Sequence, residues 1–207
     1  MRFGVLIYDG VEPIDLATFG VLSMARRIRP DISGCTLAPQ AGIVTLANGL
    51  RVIADHGLAD APPLDVVIVT GGPGWVEQAK APATLAFLRA RAADSLLVSV
   101  CTGGMILGAS GALDGKPATT KREVVPPETP PIDLLRARRP AIDVRDASLV
   151  DAGPVITGGG VSLCIDTVLH VLERLFGATV AAETARILEY QRARAANREQ
   201  FPPHIVA

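Results

Sequence analysis

Continuous apolar runs of strand length, separated by segments long enough for helices, limit the fold of this chain more than any other feature. The runs do not alternate between apolar and polar residues, as strands with one solvated face do. Parallel strands that are covered on both faces have this pattern, and right-handed helical crossovers connect them. The pattern therefore predicts an α/β fold with a doubly wound, mostly parallel sheet sandwiched by helices. The predicted strands lie near residues 3–8, 34–38, 65–70, 96–100 and 154–157.

Helical periodicity and turn signals fill the intervals between these strands. Pro13 begins the first helix, which ends before Arg29, and further helices are predicted over 82–93, 160–176 and about 179–198. The Asn48-Gly49 pair within residues 43–54 predicts a two-residue β-hairpin, which forms a small side ribbon. The proline-rich segment 123–140 predicts a loop with one short helix, which acts as a lid or a subunit contact.

Composition indicates one soluble domain over residues 1–207 that acts in the cytoplasm. Hydrophobic residues make up 49% of the chain, charged residues 20%, and the net charge is −1, which argues against nucleic-acid or polybasic membrane binding. Residues 95–113 carry no charge, but their glycines favour a strand, a turn and a helix over a membrane span. The N-terminus lacks a secretory signal pattern, and three widely spaced cysteines favour a reducing compartment.

Cys101 is the strongest candidate for a catalytic residue. It lies between the apolar run 96–100 and the helix that begins near Gly103 and Gly104, so a strand delivers it into a sharp turn. A helix N-terminus stabilises a thiolate, so we expect the pKa of Cys101 to be lowered. Taken by itself, the pattern is also compatible with a buried structural cysteine.

A second strand, ending at Thr70, runs into the turn Gly71-Gly72-Pro73-Gly74. This turn lacks the Gly-Lys-Ser/Thr of a phosphate-binding loop. Its amides, with the amide of Thr102, are expected to face a developing anion beside the nucleophile. A tight turn without any ligand is an equally good interpretation of two glycines.

Asp15 is the candidate acid–base group, because Ile14, Leu16 and Ala17 surround it with apolar side chains. Apolar surroundings push a carboxyl group toward its protonated form, which can donate a proton at neutral pH. The alternative is a surface aspartate in the first turn of a helix. No histidine lies near Cys101 in the sequence, and neither metal-ligand spacing nor a dinucleotide-binding motif is present, so no metal or cofactor is expected.

Together these stretches resemble the ThiJ/PfpI superfamily, which is related to class I glutamine amidotransferases, and in particular its isocyanide (isonitrile) hydratase branch. The resemblance implies a flavodoxin-like sandwich and a homodimer. It also implies that Cys101 is the nucleophile, Asp15 its acidic partner and Thr102 a residue that binds the polar end of the substrate, while Asp166 is structural. The matching stretches are residues 4–7 with 15–16, 63–66 with 71–72, 98–103, 115–120 and 157–166.

The resemblance implies hydration of a small-molecule isocyanide to an N-substituted formamide, but the chain departs from the pattern of its relatives. Lys121-Arg122 follows Thr119-Thr120, where relatives commonly carry a histidine and an aromatic residue. Two alternatives therefore stay open: a non-catalytic small-molecule or redox sensor, and a small-amide hydrolase, which the absent histidine disfavours. Related regulators add a C-terminal helix-turn-helix module, and we expect none in this chain.

Overall fold

An eight-stranded sheet forms the centre of the molecule, as described for residues 1–206 by a computed structural model. The strands are β1 (Arg2–Leu6), β2 (Ser33–Ala38), β3 (Gly42–Thr45), β4 (Arg51–Ala54), β5 (His56–Gly57), β6 (Val66–Val69), β7 (Leu96–Ser99), β8 (Pro117–Ala118), β9 (Asp143–Val144), β10 (Leu149–Asp151), β11 (Val155–Gly158) and β12 (His204–Ile205). The helices are α1 (Ala17–Ala25), α2 (Trp75–Gln78), α3 (Pro82–Arg91), α4 (Gly103–Ser110), α5 (Pro131–Arg138), α6 (Cys164–Phe176), α7 (Ala178–Ile187) and α8 (Gln191–Gln200).

The strand order β12-β10-β11-β7-β6-β1-β2-β5 confirms the predicted doubly wound, mostly parallel sheet. Only β10 and β11 pair in antiparallel fashion within it. Strands β6 and β11 are buried throughout, and β1 and β7 are buried apart from their first residues, as their continuous apolar runs predict. Helices α1, α6 and α7 contact one another, as do α2 with α4, α3 with α4 and α4 with α5, so two groups of helices flank the sheet.

This strand order places the candidate site residues together. Strands β7, β6 and β1 are parallel neighbours, so the turns that follow their carboxyl ends meet at one edge of the sheet. Cys101 follows β7, the Gly71-Gly72 turn follows β6, and Asp15 lies in a 3₁₀ turn, Pro13–Leu16, that precedes α1.

Two details of the prediction are wrong. The helix expected over about 179–198 is two helices, because Glu189 takes a left-handed φ of 55° between α7 and α8. The β3–β4 ribbon is present, but its last paired residues are Thr45 and Arg51, so the turn is longer than two residues. Asn48 and Gly49 do take positive φ angles, of 63° and 84°, within that longer turn.

Helix α4 packs so closely on β6 that its first residue has to be glycine. An added Cβ at Gly103 would lie 2.1 Å from the carbonyl oxygen of Val69, which belongs to rigid strand backbone. Exposed Gly20 in α1 is the opposite case, since a Cβ there would meet nothing within 4 Å.

These two glycines give a matched pair of stability variants. We expect Gly103→Ala to lower the free energy of unfolding by at least about 1–3 kcal/mol, because the strand or the helix has to shift. Gly20→Ala should leave it unchanged or raise it by up to about 1 kcal/mol, because alanine favours the helix. Urea unfolding measures both, and equal effects of the two substitutions would contradict the close packing.

Candidate active site

Cys101 occupies a strained turn between β7 and α4. Its φ of 51° is left-handed, a conformation that costs a non-glycine residue on the order of 1–2 kcal/mol. Its N–H donates to the carbonyl of Gly159 at 2.9 Å, and its carbonyl accepts the Thr120 hydroxyl at 2.7 Å. Hydrogen bonds with the segments that follow β11 and β8 therefore hold the predicted sharp turn in place.

The Gly71-Gly72 turn lies directly against Cys101 and Thr102. A Cβ at Gly71 would lie 2.4 Å from the Thr102 nitrogen and 2.8 Å from Cys101 Cβ, so only glycine fits there. The N–H of Gly71 donates to Asp15 Oδ2 at 2.6 Å, and the N–H of Gly72 donates to Thr102 Oγ1 at 2.8 Å. Both amides are thus already engaged, rather than free to face an anion as the sequence pattern predicted.

Asp15 is fully buried beside this turn. Its Oδ2 accepts the Gly71 hydrogen bond, while its Oδ1 is buried with no hydrogen-bond partner among residues 1–206. Burial raises the pKa of Asp15 from 3.8 to about 7, although the Gly71 N–H opposes the shift; the charge of Glu12 adds to it and that of Lys121 lowers it. The apolar neighbours of Asp15 in the sequence predict this upward shift of its pKa.

The Cys101 thiol has the opposite pKa shift from the one predicted. Burial raises its pKa from 9.0 to about 12, and the negative charge of Asp15 adds to the increase. The N–H and hydroxyl of Thr102 and the charge of Lys121 lower the pKa, but not enough to compensate. The expectation of a resting thiolate is therefore wrong, because the helix N-terminus is outweighed by burial and by a neighbouring acid.

A cavity of about 550 Å³ borders Cys101. Cys101 is only 2% exposed, yet it lines this cavity together with Thr102 and Gly72, whereas Asp15 is not among the lining residues. The cavity therefore has room for a small molecule beside Cys101. Its apolar lining comes from Pro73, Trp75, Val124, Pro131, Leu134 and Val161, and its charged lining from Glu12, Lys121, Glu128 and Arg138.

The proline-rich segment 123–140 forms one wall of the cavity, and α5 is its one short helix. Lys121, just before this segment, lines the cavity and donates a hydrogen bond to the Glu123 carbonyl. Arg122 does not line it, because its guanidinium stacks 3.8 Å from the centre of the Phe201 ring and pairs with Asp146. Of the two residues that depart from the family pattern, Lys121 and Arg122, only Lys121 therefore lines the cavity.

None of the three histidines lines the cavity. His170 Nε2 lies 2.8 Å from Asp151 Oδ2 in a buried pair, which is consistent with the packed position expected from its helix. Asp166 accepts hydrogen bonds from Tyr190 and Asn197, so it anchors α8 to α6. Within residues 1–206 no group of three or more His, Cys, Asp or Glu side chains is placed to hold a metal ion, and no helix is long and apolar enough to cross a membrane.

Sequence reasoning missed Trp75 and Val161 as cavity residues. Both follow glycine-rich turns at the carboxyl ends of sheet strands, β6 for Trp75 and β11 for Val161. The rule that ligands bind outside these strand ends contained that signal. Glu12 and Arg138 gave no comparable signal, because isolated charged residues are usually solvated.

The profile of the DJ-1/PfpI family matches residues 1–174. The chain belongs to the DJ-1/PfpI family. It is 34% identical over 192 residues to the isonitrile hydratase of Pseudomonas putida, an alignment that covers 92% of this chain and 78% of that enzyme. It is also 29% identical over 195 residues to the HTH-type transcriptional regulator GbdR of Pseudomonas aeruginosa, covering 92% of this chain but only 51% of the regulator.

Solved structures confirm the flavodoxin-like fold that the sequence resemblance implied. A ThiJ/PfpI family protein from Pseudomonas syringae superposes with a TM-score of 0.79 at 26% identity, covering 97% of this chain and 87% of its own. Drosophila melanogaster DJ-1beta superposes with a TM-score of 0.75 at 20% identity, covering 91% of this chain and 97% of its own. The relatives of this chain include an enzyme, the isonitrile hydratase, and a transcriptional regulator, GbdR. Family membership alone therefore does not choose between these functions.

Replacing Asp15 with Asn should stabilise the fold in a pH-dependent manner. From about pH 4 to about pH 7 the unfolded chain releases the Asp15 proton while the folded protein keeps it, so this residue makes stability fall as pH rises. Above about pH 7 the full effect is on the order of 4 kcal/mol, and Asn retains an oxygen that can accept the Gly71 hydrogen bond.

Urea unfolding of both proteins across this pH range measures the difference. The advantage of Asp15→Asn should be largest at mildly alkaline pH and disappear in acid. A variant that is no more stable than the parent at alkaline pH would contradict the raised pKa.

Proposed function

We propose that this protein hydrates an isocyanide (isonitrile) to an N-substituted formamide, with Cys101 as nucleophile and Asp15 as acid–base group. The observation that carries the proposal is a buried carboxyl group with a pKa of about 7, held by the Gly71 turn that also packs against Cys101. The 34% identity to an isonitrile hydratase supports the same chemistry.

The reaction starts with Cys101 as a thiol and Asp15 as a carboxylate, so the two residues together hold one proton. Sulfur attacks the terminal carbon of the isocyanide and forms a carbon–sulfur bond, while Asp15 transfers the thiol proton to that carbon. The product is a thioimidate on Cys101. Water then adds to the thioimidate carbon, nitrogen takes up a proton and the carbon–sulfur bond breaks, which releases the formamide and restores the thiol. The net reaction consumes water and involves no oxidation or reduction.

The pKa values fit this route better than attack by a preformed thiolate. A neutral thiol needs a base at the moment of attack, and a carboxyl group with a pKa of about 7 serves as acid and base at neutral pH. Thr102 assists by placing its N–H and hydroxyl so that they lower the pKa of the sulfur. Gly71 and Gly72 contribute by close packing and by orienting Asp15 and Thr102, not by binding the substrate through their amides.

A ligand sensor is the second candidate function. The similarity to a transcriptional regulator favours it, because this chain spans about half of the regulator's length and thus matches one part of it. Redox sensing has less support, since a buried thiol with a pKa of about 12 reacts slowly with oxidants. Amide hydrolysis has the least, because no histidine lines the cavity. Turnover of an isocyanide separates the hydratase from both alternatives.

We further propose a cytoplasmic homodimer that binds neither nucleic acid nor membrane. The apolar surface that supports a subunit contact is on the β3–β4 ribbon. There Ile43 and Ile53 form a cross-strand pair, and their residues are 70% and 73% exposed. Sedimentation of the purified chain tests the oligomeric state.

Replacing Cys101 with Ala should abolish hydration. We expect a loss of about a thousandfold or more in kcat, as is usual when a covalent nucleophile is removed. Cys35→Ala is the matched control, because Cys35 is a half-buried cysteine on β2 that does not line the cavity. Formamide production from an aryl or alkyl isocyanide is the measurement, and unchanged turnover by Cys101→Ala would sink the mechanism.

The pH dependence of kcat/KM should report Asp15. The reactive form of the pair carries one proton, on the thiol of Cys101. At low pH both groups are protonated, so the rate rises as Asp15 loses its proton at about pH 7 and then stays level until the thiol ionises near pH 12. Asp15→Asn should lose about 10²–10⁴-fold in rate together with the limb near neutral pH. A parent profile that stays flat through neutral pH, or falls, is incompatible with this role.

A further inference from the structure

A second cavity of about 400 Å³ adjoins the candidate active site. Trp75 and Arg138 line both cavities, so the two are adjacent; we refer to the pair as the groove, whose far part Cys101 does not line. The far part of the groove lies between α2, α4 and α5. Its apolar lining comes from Val76, Ala79, Met105, Ala109 and Leu135.

The far cavity is lined by three cations and no acid: Lys80, Arg138 and Arg139. Neither arginine has an ion-pair or side-chain hydrogen-bond partner among residues 1–206, and Lys80 approaches only the exposed Glu77, at 4.0 Å. The cavity over Cys101 differs, because two acids and two bases line it. Positive charge is thus concentrated at the end of the groove away from the sulfur.

We infer that the far cavity binds the tail of the substrate, and that this tail is an apolar chain ending in a carboxylate. The inference rests on the proposed function only for the reactive end, which is an isocyanide carbon placed at Cys101. From there the chain runs past Trp75, which lines both cavities, and over the apolar floor. Its carboxylate pairs with Arg138 and Arg139, which have no partner in this structure and can form charge-assisted hydrogen bonds.

Trp75 provides a direct readout of this binding, because it is the only tryptophan in the chain. The probes are ω-isocyanoalkanoates of increasing length and their methyl esters, titrated into the Cys101→Ala variant so that no turnover occurs. We expect the carboxylate to bind about fivefold more tightly than the ester of equal length, the upper range for an exposed ion pair. Added salt should reduce this preference.

Arginine substitutions in the same background test the location. Arg138→Gln with Arg139→Gln should remove the preference for the carboxylate, so that acid and ester bind with the same affinity. Arg136→Gln should keep the preference, because Arg136 lies on the same helix but pairs with Asp133 and lines neither cavity. The inference would be overturned if the Cys101→Ala protein bound acid and ester equally or bound neither. An equal loss of the preference in the Arg136 variant would overturn it as well.

This experiment separates the subsite from the chemistry. Carboxylate preference without hydration by the parent protein would leave the subsite standing and contradict the proposed function. Hydration of both compounds without any preference for the acid would support the proposed function and overturn the subsite.

Discussion

The hydrogen bond from the Gly71 N–H to Asp15 holds a carboxyl group in the interior without a cation in contact with it. Burial of this group in apolar surroundings is unfavourable for its charged form, so its pKa rises to about 7. Its charge in turn adds to the raised pKa of Cys101. The raised pKa values of these two residues are therefore a consequence of how three turns pack at the edge of the sheet, and the chemistry we propose depends on them.

Packing of these turns depends on glycines at defined places. Gly71 and Gly103 allow backbone to approach within distances that no Cβ tolerates, and the left-handed Cys101 is held by hydrogen bonds to two other segments. Strain at the nucleophile is thus compensated by the surrounding structure, which is the usual reason that such a conformation persists. The same arrangement places Cys101 in the lining of a cavity and Asp15 on the Gly71 turn that packs against Cys101.

The sheet and most of the helices could be predicted because each long element carries its own signal. Continuous apolar runs marked β1, β2, β6, β7 and β11, whereas β5, β8, β9 and β12 have two residues each and no detectable periodicity. The break between α7 and α8 lies at the left-handed Glu189, and the hydrogen bond that Tyr190 donates to Asp166 beside it spans 24 positions, so no local pattern contains it. In the site, the position of Cys101 and the direction of the Asp15 shift were predictable, but the protonated thiol was not. Burial of the sulfur and the nearby charge of Asp15 raise the pKa of Cys101, and the sulfur is buried beside Asp15 only in the folded chain.

Infrared difference spectroscopy of the parent protein against Asp15→Asn tests the central claim most directly. A protonated carboxyl group absorbs at a frequency that distinguishes it from a carboxylate, and thiolate absorbance in the ultraviolet reports Cys101 in the same samples. The account predicts that the Asp15 carboxyl band disappears with a midpoint at about pH 7 while no thiolate forms at Cys101 in that range. An Asp15 already ionised in mild acid, beside a Cys101 thiolate at neutral pH, would contradict it.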